Sequence, residues 1–541
     1  MTATHLPQVA KSVPAFSNYP AVKKLRQLAQ QPIDLTKQLT PERIKDYCAE
    51  ACGFKLLYGT ERVTDDVLNA LHELAKEAQA LDKMRRMQDG EVMNFIKGHS
   101  SENRPALHTA TRDFFDHPRT ALKAKEAAQL ARHELDKLES FLAKIEVEGQ
   151  FTDLVTIAIG GSDLGPRAHY YALEHFLKPN RHIHFISNVD PDDVVGVFKK
   201  VKSLEKTLVV VVSKSGTTLE TATNEELVRE KFKKAGLDPK KHFIAITMPG
   251  TPMDNRSQYL ETFYMWDWIG GRYSTTSMCG ALMLSFAFGF DVFWEFLKGA
   301  HAMDQDALQS DLKKNLPLLA ALLGIWNRNF LNYPTIALIP YSQALIRYTA
   351  HIQQADMESN GKQIDQQGHL VDFQTGPIIW GEPGTNAQHS FFQLIHQGTS
   401  TIPMSMIAFK NNLYGEDLQF EGTTSQEKLL SNLFAQSLAL ATGQDSDNPN
   451  KVFLGNRPTN ILLGEKLTPY ALGALLSFFE NKVAFQGFIW GINSFDQEGV
   501  QLGKVLANKL ITAFAAKRQQ RKELSSFPLG EAYLQHLDHF H

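Results

Sequence analysis

Between Ser213 and Thr218 the chain reads Ser-Lys-Ser-Gly-Thr-Thr: four hydroxyl side chains, one ammonium and one glycine in six consecutive residues. Groups of this kind bind an anion. They fall where a run of β-branched residues, Val209 to Val212, gives way to a polar periodic segment. The run predicts a strand buried on both faces and the segment predicts a helix. A strand's carboxyl end feeding a helix amino terminus offers free N–H groups and the positive end of the helix dipole, so the loop suits a phosphate monoester. A plainer reading stands beside it, in which Thr217 or Thr218 is only an N-cap and the other hydroxyls are solvated. The pattern G-x-x-x-x-G-K-[ST] is absent, so a nucleotide is not implied.

Other residues have the chemistry to act with this loop. Gly160-Gly161-Ser162-Asp163-Leu164-Gly165-Pro166 follows an earlier apolar run. Its glycines allow close backbone approach to a ligand, and Ser162 opens the next helix, giving a second wall for a phosphate. Gly270-Gly271 precedes Arg272, whose fixed charge fits either a developing oxyanion or a structural ion pair. Asn360-Gly361 signals a helix end and puts Glu358 in the last turn. The negative end of a helix disfavours added negative charge, which suits a proton acceptor. His389 precedes a predicted helix over 390–397 and reads either as an acid/base or as an ordinary turn histidine. Lys504 lies on a helix that begins after residue 493.

The elements that must hold these residues show in the hydrophobic pattern. Residues 155–159, 183–186, 208–212 and 243–246 are short apolar runs alternating with helical segments, which predicts βαβ units and a parallel sheet. Right-handed crossovers then bring the following loops to one sheet edge. A second alternation places strands at 336–339, 377–380, 403–408 and 460–463, with helices at 426–441 and 469–491. The two regions share a pattern, without a strict sequence repeat. Residues 1–110 show helical patterns over 40–52 and 64–87 with no buried-strand signal and read as a helical arm or cap. Thr40-Pro41-Glu42 is a helix start. Lys83, Arg85 and Arg86 read as a solvated helix face. The domain division is 1–110 for the arm, 111–290 and 291–510 for two α/β domains, and 511–541 for a helical extension.

Composition narrows the function. With 541 residues, 43% hydrophobic and 21% charged, the chain buries a large core in more than one domain. A net charge of −3 argues against non-specific nucleic-acid binding and points to small-molecule partners. Three cysteines are too few for a disulfide framework and fit a reducing compartment. Cys48 and Cys52, four apart on a predicted helix, read as small buried residues. The amino terminus lacks an apolar stretch of signal-peptide type, and the apolar stretch 280–290 is too short to span a membrane, so it reads as a core helix of a cytoplasmic protein.

The ordered set GGSDLGP, SKSGTTLET, GGRYS, MESNGK, GTNAQHSF and FDQEGVQLGK, from Gly160 to Lys504, resembles the glucose-6-phosphate isomerase family, with ENRPALHTATR from Glu102 to Arg112 as a further landmark. The resemblance spans nearly the whole chain. It implies an α/β fold of two SIS-type three-layer α/β/α domains with mainly parallel sheets and helical terminal extensions, acting as a cytoplasmic homodimer without metal or other cofactor. It implies reversible isomerisation of glucose 6-phosphate and fructose 6-phosphate, a step of glycolysis and gluconeogenesis, through ring opening and a cis-enediolate. Glu358 then matches the base that moves a proton between C1 and C2, and Arg272 the group stabilising the enediolate. His389, supplied across the dimer interface, and Lys504 match the ring-opening groups. Gly161, Ser162, Ser213, Lys214, Ser215 and Thr218 match the phosphate-site loops, and Gln354 and Gln497 match substrate contacts.

Two departures from the family pattern stand out. Many members have SKTFTT where this chain has SKSGTT, which trades an aromatic for Gly216, and many have glutamate where this chain has Gln501. Two other classes share some of these features. A non-catalytic sugar-phosphate sensor on the same fold lacks a DNA-binding segment here. A metal-dependent isomerase lacks a tight ligand set, because His182-x-His184 lies on a strand and His536, His539 and His541 form a terminal tail.

Overall fold

The computed structural model describes residues 15–519 and 527–539. Two compact units are distinguished, Met1–Phe495 and Asp496–His541. The amino-terminal stretch that reads as lacking a signal peptide lies, through residue 14, outside the described residues, as does His541.

In chain order the strands are β1 (Cys48–Ala51), β2 (Phe54–Leu57), β3 (Val92–Asn94), β4 (Arg104–Pro105), β5 (Asp153–Ile157), β6 (His182–Ile186), β7 (Thr207–Val212), β8 (Phe243–Thr247), β9 (Glu261–Tyr264), β10 (Thr335–Tyr341), β11 (Ile378–Trp380), β12 (Met404–Asn411), β13 (Gln419–Phe420), β14 (Thr423–Thr424) and β15 (Thr459–Lys466). Five of them form an all-parallel sheet in the order β6-β5-β7-β8-β9. A second sheet runs β1-β2-β15-β12-β10-β11, parallel from β11 to β15 and antiparallel where β2 joins. All eight predicted strands are present, with ends shifted by a few residues.

β7 is buried along its whole length, as an unbroken valine run requires when both faces are covered. One face of the first sheet packs Val155, Val209, Val211 and Phe243 against Val228 and Phe232 of the helix Leu219–Lys234. The other face packs Leu208, Val210 and Ile244 into the central core, shared with the helices Gly161–Ala172 and Met278–Phe288. The second sheet repeats this arrangement. Ala337, Ile339, Met404 and Met406 meet Leu433 and Leu440 of the helix Ser425–Thr442, while Leu338, Ile407 and Leu462 face the central core. This is the expected α/β/α build.

The predicted core helix at 280–290 is Met278–Phe288, buried at every position. The helix Pro469–Trp490 is buried from Leu472 onward, and it crosses the helix Phe290–Asp306 at two glycines. A Cβ on Gly473 would fall 1.8 Å from the Phe296 carbonyl oxygen, and one on Gly299 1.8 Å from that of Tyr470. No described helix is long and apolar enough to cross a membrane.

The amino-terminal region departs from expectation. The helix begun by Thr40, whose side chain accepts from Arg43 N–H, ends at Asp46, and the chain turns into the β1–β2 hairpin. That hairpin extends the second sheet through β15, so the arm is not purely helical, and Cys48 and Cys52 share no helix face. Cys52 follows β1 at φ +47 and donates its thiol to Asp306 at 2.8 Å. The 64–87 pattern is two helices, Asp65–Glu77 and Ala80–Gln88, broken at left-handed Gln79. Lys83 is not on a solvated face: it donates to the Phe488 carbonyl, and burial lowers its pKa to about 8.

Candidate active site

The loop after β7 folds on itself through its hydroxyls. Ser213 continues the ladder to Ile246, its Oγ pairs with Thr218 Oγ1 at 3.0 Å, and Ser215 Oγ pairs with Thr217 Oγ1 at 2.9 Å. Thr218 occupies the N-cap position of the helix Leu219–Lys234, yet its side chain makes no cap hydrogen bond. The simple N-cap explanation therefore does not account for it. Gly216 sits at φ +67 with the Thr251 side chain 3.1 Å from the place of a Cβ, so this version of the loop requires glycine. Lys214 donates to the Ile269 carbonyl at 3.1 Å; burial, together with the nearby Arg104 guanidinium, lowers its pKa to about 8.

Ile269 leads directly into Gly270, Gly271 and Arg272, so Lys214 holds the start of the arginine turn. The glycine loop after β5 holds its other side. A Cβ on Gly161 would lie 2.2 Å from the Gly271 carbonyl carbon, and Ser274 Oγ donates to the Gly161 carbonyl at 3.4 Å. Glycine at 161 lets the two backbones touch. Ser162 faces the Cys279 thiol beside β7, and the structure shows no hydrogen bond from it to the 213–218 loop.

Arg272 is buried and docked onto the helix that carries Glu358. Its Nε donates to Ser359 Oγ at 2.6 Å and its Nη2 to the Ser494 carbonyl at 2.7 Å. That helix begins at Tyr348, widens to a π-turn over Gln354–Glu358 and stops at Asn360, as the Asn-Gly signal predicted. Such π-turns are frequent at functional sites. Glu358 Oε1 lies 3.7 Å from Arg272 Nη1, and the carboxylate side chain is 24% exposed against 1% for the arginine. Glu358 Oε2 has no hydrogen-bond partner, and neither has Gln354 Oε1. Gln354 Nε2 lies 3.7 Å from the position of a Cβ on Gly160, which brings this side chain to the glycine loop. The π-turn is itself fixed by Asp356, which is fully buried and paired with Lys482 at 3.1 Å.

His389 stands apart from this group. His389 ends the 3-10 turn Asn386–His389 after β11, three residues before the helix Phe392–Gln397; it is exposed and has no hydrogen bond or ion pair to Glu358 or Arg272. In the second unit Gln497 is half-buried, and Lys504 is exposed near the start of the helix Gln501–Arg518.

Sequence reasoning missed the support beneath Arg272. Tyr273 stacks on His108 at 4.5 Å between ring centroids, and its hydroxyl hydrogen-bonds Ser359 Oγ at 2.7 Å. Burial pushes His108 down to about 3, so its 4.0 Å approach to Glu480 is not an ion pair. Arg112, fully buried, donates to both oxygens of Asp304 at 2.6 and 2.9 Å and to Glu480 at 2.7 Å. The ENRPALHTATR stretch pointed to this region without giving it a role. Of the histidines considered as metal ligands, His184 hydrogen-bonds Asp153 at 2.8 Å. Among the described residues no group of three or more His, Cys, Asp or Glu has the arrangement of a metal site.

By fold the chain is a two-sheet α/β/α protein of the sugar-isomerase kind. The profile of the family described as Phosphoglucose isomerase matches residues 57–527. A protein named glucose-6-phosphate isomerase from Protochlamydia amoebophila is 78% identical over 534 residues, covering 98% of this chain and 99% of the relative. One of the same name from Chlamydia pneumoniae is 53% identical over 96% of this chain and 98% of its own length. A crystal structure of a glucose-6-phosphate isomerase from Chlamydia trachomatis superposes with a TM-score of 0.92 at 48% identity, covering 97% of this chain and 99% of that one. The chain belongs to the phosphoglucose isomerase family.

Proposed function

We propose that this chain interconverts glucose 6-phosphate and fructose 6-phosphate by proton transfer between C1 and C2 of the open-chain sugar. The observation that carries the reading is the pairing of Glu358, with one carboxylate oxygen free of hydrogen bonds, and Arg272 3.7 Å away, beside a loop rich in hydroxyls and a lysine. A carbon acid next to a carbonyl needs a base in reach and a cation where negative charge gathers on oxygen. Glu358 takes the proton from one carbon and returns it to its neighbour, and Arg272 stabilises the cis-enediolate between the two transfers.

Ser213, Lys214, Ser215 and Thr218 hold the phosphate, with Gly161 and Ser162 as the second wall and Gln354 and Gln497 as further contacts to the sugar. The phosphate does not react, but fixing it orients the distant carbons, and effective concentration gained in this way lowers the barrier. The substrate arrives mostly as a ring. His389 and Lys504 move the proton between ring oxygen and anomeric hydroxyl, with His389 supplied by the other copy in a homodimer. The reaction is a step of glycolysis and gluconeogenesis and belongs to the cytoplasm.

The test is turnover and binding in Glu358→Gln. The amide keeps the shape and removes the base, so fructose 6-phosphate should bind with unchanged affinity while kcat falls by about 10²–10⁴-fold. Wild-type turnover in that variant would remove Glu358 from the role of base.

A further inference from the structure

Beneath the arginine turn, the Arg112 guanidinium lies between two carboxylates, and all three groups are buried. The two acids are not held alike. Asp304 takes Arg112 Nε and Nη2 at 2.6 and 2.9 Å, and its Oδ1 also accepts from Ser477 Oγ and Asn481 Nδ2, each at 2.7 Å. Glu480, on the helix Pro469–Trp490, takes a single bond, from Arg112 Nη1 to its Oε2 at 2.7 Å, and its Oε1 has no hydrogen-bond partner. The titratable groups that bear on Glu480 come from several other elements. Arg112 and His108 lie on the 3-10 turn His108–Arg112, Asp304 on the helix Phe290–Asp306, Tyr348 on the helix Tyr348–Gln353, and Tyr273 in the arginine turn. Of these only Arg112 is a cation. His108 is neutral, and its Nε2, 4.0 Å from Glu480 Oε2, has no partner; neither has the Tyr348 hydroxyl.

One arginine does not balance two buried carboxylates, and a buried charge left without compensation is costly. When two acids share a site, the better-supported one ionises and the other keeps its proton. Burial pushes the Asp304 carboxyl up, but Arg112, Ser477 and Asn481 more than offset it and hold it below the ordinary range. Burial pushes Glu480 up to about 7, against the pull of Arg112. We propose that Glu480 is a neutral acid in the folded chain and that its ionisation is a pH-sensitive switch, loosening the packing of His108, Tyr273 and the arginine turn they support. The route is short. His108 stacks on Tyr273, whose hydroxyl meets Ser359 Oγ, and Thr276, just past the turn, accepts from Arg112 Nη1 at 3.4 Å. No substrate contact is required of Glu480, and the inference is independent of the roles proposed for Glu358 and Arg272.

Glu480→Gln puts the nearest neutral likeness of the protonated acid in its place, and equilibrium chemical denaturation against pH reads the difference. An acid whose folded pKa is raised holds its proton more tightly when folded, so stability falls as pH rises from the unfolded value of about 4.3 through the folded one. The folding constant of the wild type, relative to Glu480→Gln, should therefore drop about tenfold per pH unit between about pH 5 and pH 7 and level off above. Hydrogen exchange of the amides at 270–276, corrected for intrinsic rate, gives the second reading. Their protection should fall about tenfold or more between about pH 6 and pH 8.5 in the wild type and stay level in Glu480→Gln. An ionised Glu480 serving as partner to Arg112 predicts the opposite, a glutamine variant less stable by the same factor at every pH. That result, or a Glu480→Gln chain that does not fold, would overturn the proposal. Protection of 270–276 that is level with pH in the wild type as well would overturn the coupling to the arginine turn.

Discussion

Lys214 shows how much one residue's surroundings alter its chemistry. Burial, with Arg104 nearby, lowers its ammonium pKa to about 8, so the charge proposed to attract the substrate's phosphate is lost within an accessible pH range. Below that pH the lysine is cationic and favours the dianion; above it the lysine is neutral and the attraction goes. kcat/KM reports groups of the free enzyme, so for fructose 6-phosphate it should fall about tenfold or more between about pH 8 and pH 9.5. Lys214→Arg, charged throughout, should flatten that limb, and a flat wild-type profile to the same pH would contradict the account. At this scale Lys214 and Glu358 were legible, the first from the density of hydroxyls around it and the second from the helix stop at Asn360-Gly361. Ser359 was not, because a serine inside a helix has the same local pattern whether it faces solvent or, as here, a buried guanidinium.

Elements set the distances between these residues, and two contacts carry most of the constraint. Gly161 lets the β5 loop touch the arginine turn, and a Cβ there would sit 2.2 Å from the Gly271 backbone. Gly161→Ala should destabilise the fold by about 1–3 kcal/mol, as overpacking does, and lower activity through the displaced Arg272. Chemical denaturation beside an activity assay checks both. Lys482 and Asp356 fasten the π-turn to the long helix Pro469–Trp490. Lys482→Met should cost about 3–5 kcal/mol, since the fully buried Asp356 carboxylate loses its partner, and adding Asp356→Asn should recover part of the loss in the same denaturation series.

The sheets were readable in the sequence because their strands are unbroken apolar runs closed by turn residues. The β1–β2 hairpin was not, because Cys48–Ala51 and Phe54–Leu57 are short and half-buried and take their place only by pairing with β15, some four hundred residues away. A contact that distant in sequence leaves no local periodicity. β9 escapes for a local reason, since Glu261 and Tyr264 break the apolar pattern at both ends of a strand that pairs with its neighbour β8.

For the molecule as a whole, the reading requires two copies, with the exposed His389 of each completing the site of the other. Inactive Glu358→Gln and His389→Gln chains, unfolded and refolded together, should then regain about a quarter of wild-type activity, because half the dimers are mixed and each mixed dimer has one intact site. No recovery from a mixture shown by mass to contain mixed dimers would place His389 in its own subunit's site or outside the chemistry. The hydroxyl loop, the arginine turn and the π-turn come together from parts of the chain that span nearly a hundred and fifty residues, and the chemistry proposed for them leaves an isotopic record. The most direct test is to convert fructose 6-phosphate to glucose 6-phosphate with the purified chain in deuterated water, following label at C2. The account predicts deuterium at C2 with the native enzyme and loss of both turnover and label in Glu358→Gln. Unlabelled product from the native enzyme arises when Glu358 returns the proton it took before exchange with solvent; turnover at the native rate in Glu358→Gln, with or without label, would contradict the account.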